Sequence, residues 1–314
     1  MSKKKTKTQY RLRNWKEYTA SLVERGSLTI WISDEMIAAW QNHERSGQPG
    51  RPRFYSEMAI ECLATVGEVY HQPLRATEGL MRSLTRLLGV EVPVPDYSTL
   101  SRRRKTLAVS LPRRAKSEPL HLVVDSSGVK IYGEGEWKVR QHGYSKRRTW
   151  RKLHLAVDEA THELVAAVVT TNNVADSEAL SDLLDQVDET VEQVSADGAY
   201  DKRPCYEAIK RVGARATIPP RRDARIWRHG RCRGERVRRD ENLRRIRQVG
   251  RAQWKRESGY HRRSLAETAV FRFKMIFGER VRARSFEGQA AQVLVRCAAL
   301  NRMTHLGMPD SYAV

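Results

Sequence analysis

From about residue 120 the chain alternates short apolar runs with amphipathic segments, and this alternation limits the fold more than any other feature. The run LHLVV is followed by Asp125, and the run VEQVSA is followed by Asp197. Short apolar runs bounded by polar or glycine-containing segments are typical of buried strands. Strands that alternate with helices predict an α/β domain built around one sheet.

The predicted elements of this domain follow in a definite order: three strands, then helix, strand, helix and strand. Strands are predicted at 120–125, 150–158, 163–171, 191–197 and 214–220, and helices at 176–188 and 202–212. Asp125 and Asp197 are each expected where the chain leaves the sheet. Ligand sites concentrate at such strand ends.

Residues 54–107 predict a compact unit of three helices. The first two cover 56–70 and 75–88, and Ser98 caps a short third helix. The third helix carries four cations, Arg102, Arg103, Arg104 and Lys105. Three helices that end in a basic helix are typical of a helix-turn-helix DNA-binding unit. A helical subdomain with a solvated charged face fits the same pattern equally well.

Charge is the second strong constraint. The 314-residue chain has 58 lysine and arginine residues against 37 acidic ones, a net charge of +21. Such an excess favours a polyanionic partner, because each phosphate neutralised by a cation releases condensed counterions. Residues 221–256 alone hold fourteen arginines and one lysine against four acidic residues. DNA is therefore the expected partner, and a basic protein that is merely soluble is the alternative.

The sequence shows no sign of secretion or of a membrane span. No apolar run is long enough to cross a bilayer, and the basic start MSKKKTKTQYRLR is not followed by the apolar core of a signal peptide. The cysteines are scattered without a close pair, which is typical of reduced thiols. These features predict a cytoplasmic protein with a disordered basic arm at its start.

Residues 258–277 predict a long helix with an unusual polar stripe. The stripe contains a phenol, a carboxylate and two cations, Tyr260, Glu267, Arg263 and Lys274. At about 100° per residue, these four positions fall inside a sector of roughly 60°. A solvated stripe, with Arg263 and Glu267 as a simple i,i+4 ion pair, is the alternative.

Asp125, Asp197 and Glu267 together predict metal-dependent chemistry at a phosphodiester. Cleavage needs a deprotonated nucleophile and a stabilised leaving oxygen, and two divalent ions about 3.5–4 Å apart supply both. Mg²⁺ takes oxygen ligands, and Mn²⁺ can replace it. One aspartate after a strand is more often a turn residue. Two of them in one domain, with a glutamate beside cations, favour a metal site.

The chain resembles the DDE transposases of bacterial insertion sequences, and most closely the insertion-sequence-five family. The match is carried by VVDSSGVKI around Asp125, by SADGAYD around Asp197, and by the gap-free spacing Y-x2-R-x3-E-x6-K from Tyr260 to Lys274. PLRATEGLMRSL and PDYSTLSRRR look like the N-terminal region of the family. The resemblance covers roughly residues 50–305.

This resemblance implies a ribonuclease-H-like catalytic core with an N-terminal helical domain. It implies that Asp125, Asp197 and Glu267 bind Mg²⁺. It also implies that three further residues contact DNA near the cleaved bond, Tyr260, Arg263 and Lys274. The arginine-rich segment maps least well onto the family, and Trp227 within it is a candidate for stacking on a flipped base.

The expected organisation is a basic arm with short elements over 1–50, a helical DNA-end-binding domain over 51–115, and a catalytic domain over 116–314 with an arginine-rich insert at 221–256. The expected function is binding of terminal inverted repeats, metal-dependent DNA cleavage and strand transfer. Two ends must be joined, so a homodimer or larger synaptic complex is expected. A non-catalytic DNA-binding regulator and a nuclease on the same core are the alternatives.

Overall fold

A six-stranded sheet lies at the centre of the protein, and two further short strands pair with each other beside it. The structure is a computed structural model that describes residues 10–42, 53–114, 118–131, 150–227 and 237–314. The strands are β1 (Tyr10–Leu12), β2 (Leu120–Ile131), β3 (Trp150–Asp158), β4 (Leu164–Thr171), β5 (Val191–Ser195), β6 (Arg215–Thr217), β7 (Arg280–Val281) and β8 (Ser311–Ala313). Most of the predicted basic arm and residues 228–236 of the arginine-rich segment lie outside the described residues.

The sheet is mixed, with the spatial order β4-β3-β2-β5-β6. β2, β3 and β4 form an antiparallel meander, while β5 and β6 run parallel to β2. β7 pairs in parallel with the far half of β2. Three antiparallel strands extended by two parallel ones form the ribonuclease-H-like arrangement, so the predicted fold class is confirmed.

The prediction that the first strand stops at Asp125 is wrong. β2 continues to Ile131, and Asp125 lies near its middle, opposite Leu155 of β3. The polar stretch after Asp125 forms a strand because β3 pairs with it on one side and β7 pairs with its last two residues on the other. β5, by contrast, stops pairing with β2 at Val123. Asp125 therefore lies just beyond the point where one neighbouring strand ends.

Twelve α-helices lie within the described residues. They are α1 (Trp15–Glu24), α2 (Leu28–Trp31), α3 (Asp34–Ala38), α4 (Glu57–Val69), α5 (Leu74–Leu87), α6 (Tyr97–Arg103), α7 (Leu180–Leu184), α8 (Arg203–Arg211), α9 (Arg238–Val249), α10 (Arg251–Glu257), α11 (Ser264–Phe277) and α12 (Phe286–Leu306). The three helices predicted between residues 54 and 107 are confirmed as α4, α5 and α6. None of the helices described is long and apolar enough to cross a membrane.

Three local predictions are corrected by the structure. The cap of α6 is Asp96 rather than Ser98, because the Asp96 carboxylate accepts the Ser98 and Thr99 amides at 2.8 and 2.9 Å. The helix predicted at 176–188 is a 3-10 turn followed by α7, which has only five residues. The long helix predicted at 258–277 begins as a 3-10 turn over Tyr260–Arg263, after Gly259 with φ +67°, and becomes α-helical only at Ser264.

Apolar side chains cover both faces of the sheet. One face packs against α4, α11 and α12, where Ile60, Phe273 and Val293 join Val123 of β2 in a single apolar core. The other face packs against α7 and α8 through Leu183 and Ile209. The α4–α6 unit thus shares its core with the central sheet, and a domain boundary near residue 115 stays a prediction.

Candidate active site

The register of the parallel strands brings the two aspartates to one level. Val123 of β2 is the partner of Ser195 on β5, so the positions two residues further along are Asp125 and Asp197. Side chains at i and i+2 share a face of a sheet, and neighbouring strands lie about 4.8 Å apart. Both carboxylates therefore project from the face that α11 covers.

Asp125 is largely enclosed, with 19% of its side chain exposed. Its Oδ1 accepts the Ser126 amide at 2.9 Å. Burial raises the pKa of Asp125, and the charges of Asp197 and Glu267 raise it further, against the opposing effects of Ser126 and Arg263. The three carboxylates predicted from the sequence are therefore close enough to repel one another.

Asp197 lies in the turn that leaves β5. Its Oδ1 accepts the Ala199 amide at 2.8 Å and caps the 3-10 turn Gly198–Tyr200. This local bond holds the aspartate backbone at the sheet end and leaves its other carboxylate oxygen for a ligand. Gly198 follows Asp197 and lies against the Pro219 carbonyl. A Cβ atom at position 198 would stand 3.5 Å from that carbonyl oxygen.

Arg263 links the carboxylates of two separate elements. Its guanidinium forms an ion pair with Glu267 one turn further along, and its Nη1 lies 3.5 Å from Oδ2 of Asp125. Glu267 remains half exposed, at 54% of its side chain. Arg263 is thus a carboxylate contact in this structure, in addition to any role with DNA.

The described residues contain no group of three His, Cys, Asp or Glu side chains arranged to hold a metal ion. Glu267 is instead paired with Arg263. The donor chemistry nevertheless fits a hard divalent cation, because all three groups are carboxylates. Burial is the main cause of the raised pKa of Asp125, and the charges of Asp197 and Glu267 add to it; a divalent cation would neutralise that negative charge.

Tyr260 lies seven residues before Glu267 in the chain, and Lys274 lies seven residues after it. Tyr260 packs on the buried Trp254, with ring centroids 5.8 Å apart, and Lys255 lies 5.1 Å from its ring centroid. Burial raises the pKa of the Tyr260 phenol. Lys274 is half-buried in the last turn of α11. The phenol is therefore held by the arginine-rich helices, a contact that the sequence pattern did not indicate.

The four predicted cations at the end of α6 divide into two kinds. Arg103 donates to the Tyr55 carbonyl at 2.9 Å and pairs with Glu57 at 2.6 Å. Arg104 is mostly enclosed, and burial lowers its pKa. Arg102 and Lys105 are exposed. Two of the four cations therefore help to hold α6 in place, and two face solvent.

Asp201 is a buried polar position that the sequence analysis did not single out. Its carboxylate accepts from Arg239 Nε at 2.7 Å, from the Tyr206 hydroxyl at 3.2 Å and from the Arg221 amide at 3.1 Å. Asp201 and Arg239 are almost fully buried, with side chains 1% and 5% exposed. The available signal was the second aspartate of SADGAYD. The buried pair ties the arginine-rich helix α9 to the end of β5.

Trp227 packs beside the Asp201–Arg239 pair. The Arg239 guanidinium stands 4.0 Å from its ring centroid, Arg203 stands 5.2 Å away, and Tyr206 meets the ring edge-on at 5.5 Å. These three side chains surround a ring that is half-buried. The structure therefore favours a packing role for Trp227 over the base-stacking role considered from the sequence.

Tyr200 is the remaining buried polar group beside the aspartates. Among the residues that the structure describes, its hydroxyl has no hydrogen-bond partner. Burial raises the pKa of this phenol, and the charges of Asp176, Asp125 and Asp197 raise it further. A neutral hydroxyl therefore lies within the field of Asp125 and Asp197.

Comparison with known proteins agrees with this geometry. Two family models, each described as a transposase DDE domain, match the chain, one over residues 23–134 and the other over residues 116–302. The second match alone spans more than half of the chain. The chain is also similar to the piggyBac transposase in a cryo-EM structure of its synaptic complex with hairpin DNA, at a TM-score of 0.35 and 11% identity, covering 95% of this chain and 76% of that one. That likeness is too weak to carry the assignment. On the strength of the family matches, the chain belongs to the DDE transposase family.

Proposed function

We propose that this chain is the transposase of an insertion sequence of the insertion-sequence-five type. It binds the terminal inverted repeats of its element, cuts the DNA there and joins the freed 3′ end to target DNA. The observation that supports this most is the β2–β5 register, which sets Asp125 beside Asp197 on the face covered by α11. α11 then supplies Glu267, whose charge acts on Asp125.

Asp125, Asp197 and Glu267 are the proposed ligands for Mg²⁺, with Mn²⁺ as a substitute. When bound, the divalent ions activate the attacking oxygen and stabilise the leaving oxygen. Asp125 is ready for this role because it is held by the Ser126 amide and largely shielded from water. Glu267 joins the ligand set when its carboxylate leaves Arg263.

The cations around the carboxylates are proposed to hold the DNA. Arg263, in the 3-10 turn before α11, and Lys274, in the last turn of α11, flank Glu267 along the chain and neutralise phosphates on either side of the cleaved bond. The Tyr260 hydroxyl donates a hydrogen bond to a phosphate oxygen, since its pKa is raised and it stays protonated. Arg102 of α6 and Lys105 of the 3-10 turn that follows are exposed and contact the repeat further away. Two ends require at least two copies of the chain.

The test is a cleavage and strand-transfer assay on a duplex that carries the terminal inverted repeat of the element. Asp125→Asn, Asp197→Asn and Glu267→Gln should each lower cleavage in Mg²⁺ by about 10³-fold or more, because ligands of one catalytic unit act together. Binding of the duplex should persist. Glu192→Gln, an exposed acid on β5, is the matched control and should cut normally.

The outcome also separates the alternatives. Glu267→Gln protein that cuts and joins as well as the wild type would show that the carboxylate assignment is wrong. Wild-type protein that binds the repeat without cutting it would be a DNA-binding regulator. Cutting without any joining would indicate a nuclease.

A further inference from the structure

α11 presents two large apolar side chains to solvent. Phe271 is 63% exposed and Met275 is 70% exposed. Of the five phenylalanines in the chain, Phe271 is the most exposed. Single exposed apolar residues are common on proteins. Here the pair stands one helical turn apart, on the same helix that carries Glu267.

The fold does not use this pair for its core. α11 packs against the sheet and α12 through another face, which contains Ala266, Ala269, Phe273 and Phe277. Phe271 and Met275 lie on the side of the helix opposite those positions. Their exposure therefore adds nothing to the buried apolar area that stabilises the protein.

The position of the pair relative to Glu267 follows from helix geometry. Phe271 lies about 6 Å along the axis from Glu267 and about 40° around it, and Met275 is one turn further. Lys274 is three residues after Phe271, so its side chain is a neighbour of Phe271 on the helix surface, and Arg263 stands one turn before Glu267. Phe271 thus lies directly beside one carboxylate, Glu267, and one cation, Lys274.

A strand of DNA has the matching chemistry. It offers flat apolar base faces a short distance from anionic phosphates, and bases stack on aromatic side chains in many protein grooves that also carry cations. The centre of a protein–protein interface, in contrast, is depleted of charged residues. The carboxylate and the cation beside Phe271 therefore favour a nucleic acid over a second copy of the chain.

We propose that Phe271 and Met275 form a base-contacting surface that packs against nucleobases of the DNA strand next to the phosphate that is cleaved at the site of Asp125, Asp197 and Glu267. This proposal rests on the proposed function. An axial distance of about 6 Å corresponds to roughly two base steps of B-form DNA. The contacted bases therefore lie within about four nucleotides of the cleaved bond.

The experiment places the fluorescent base 2-aminopurine at each of these positions in a duplex that carries the terminal inverted repeat. Fluorescence is recorded with EDTA present, so that no cleavage occurs. Binding of wild-type protein should change the emission at one or more of these positions and not at a distant position inside the repeat. Phe271→Ala should abolish the change and weaken binding of the duplex about tenfold, the usual effect of removing one base–aromatic contact.

Companion variants show which property of the side chain matters. Phe271→Tyr keeps the ring and should keep the emission change, while Met275→Ala should reduce it in part. Val23→Ala removes an apolar side chain of similar exposure from α1 and should leave binding unchanged. Since Phe271 is exposed, Phe271→Ala should unfold at the wild-type temperature in a thermal scan.

Three results would overturn the proposal. If wild-type protein joins ends in Mg²⁺ while Phe271→Ala shows unchanged emission and affinity, the base contact is absent and the proposed function stands. If Phe271→Ala instead loses self-association in sedimentation while its DNA contacts persist, the surface is a contact between copies. If wild-type protein neither binds nor cuts the repeat, the proposed function and this inference fall together.

Discussion

At the scale of single residues, the site is organised by one guanidinium. Arg263 contacts both Asp125 and Glu267, which belong to different elements and repel each other. A cation between two carboxylates lowers their repulsion in the same way that a divalent ion does. In the proposed site a metal ion would therefore compete with Arg263 for Glu267, and a DNA phosphate would compete with Glu267 for Arg263.

Replacing Arg263 by Ala should separate the competition between Arg263 and a metal ion from the competition between Glu267 and DNA phosphate. Without DNA, the variant should bind Mn²⁺ more tightly than the wild type, because the competing cation is gone. Its affinity for the DNA duplex should fall about tenfold, the effect of losing one hydrogen bond to a charged group. Isothermal titration calorimetry with Mn²⁺ alone, and then with DNA, measures both.

Arg262→Ala is the control for this prediction. Arg262 is the neighbouring cation, but it pairs with Glu159 rather than with Asp125 or Glu267. It should leave Mn²⁺ affinity unchanged. Weaker Mn²⁺ binding in Arg263→Ala would contradict the competition and would show that Arg263 helps to assemble the ligand set.

At the scale of elements, β2 decides where the site lies. Its first half pairs with β5 and its second half with β7, so the gap between these two neighbours falls beside Asp125. β7 follows α11 in the chain, and its pairing with β2 holds the end of α11 against the sheet. One long strand thus positions Asp125 directly and Glu267 through the helix that precedes β7.

The β2–β5 pair also contains a buried histidine. His121 of β2 hydrogen-bonds Ser195 of β5 through Nε2 at 2.8 Å, on the same face as the two aspartates. Burial lowers the pKa of His121 from 6.5 to about 4, with further lowering by Arg215 and Arg262. In the folded protein His121 is therefore neutral at pH values above its lowered pKa.

This histidine predicts a loss of stability in acid. Between pH 6.5 and pH 4 the unfolded chain binds a proton at His121 and the folded chain does not, so the free energy of unfolding falls as the pH drops. The contribution is fully present above pH 6.5. His121→Gln should lose less stability than the wild type over this range, by about 2 kcal/mol after allowance for partial exposure. Urea unfolding at both pH values measures the difference, and equal losses would show that His121 is not the responsible group.

At the scale of the whole molecule, the helices before residue 115 and the sheet after it form one core. Ile60 and Leu63 of α4 belong to the same apolar cluster as Val123 and Val293. Arg296 of α12, nearly buried, pairs with Glu68 of α4 at 2.7 Å. Such an interface resembles the interior of a domain more than a contact between independent domains.

Removal of residues 1–115 should therefore destroy cooperative folding of the remainder. The fragment 116–314 would expose the apolar face of α12 and leave Arg296 without its partner, and a buried charge without its partner destabilises a protein by about 3–5 kcal/mol. Circular dichroism should show no sharp thermal transition, whereas the full chain should melt in one step. A fragment that melts sharply would support the domain boundary predicted near residue 115.

Part of the site was readable from local patterns. Glu267 was recognised by its spacing from Tyr260, Arg263 and Lys274, and the two aspartates by the apolar runs before them. The roles of Arg103 and Arg104 were not, because inward and outward cations have the same letters and only their tertiary partners distinguish them. The Asp201–Arg239 pair was missed for a similar reason, since 38 residues separate its members.

The amino-acid sequence alone determined the order of the central strands and helices and the DDE transposase family, and it predicts the three carboxylates, because hydrophobic periods and short spacings are local properties of the chain. The tertiary structure decided the length of β2, the level at which Asp125 and Asp197 meet, and the place of Arg263 between Asp125 and Glu267. These depend on pairings between segments far apart in the chain. No local pattern records such pairings, since register and burial are settled only when the whole core packs.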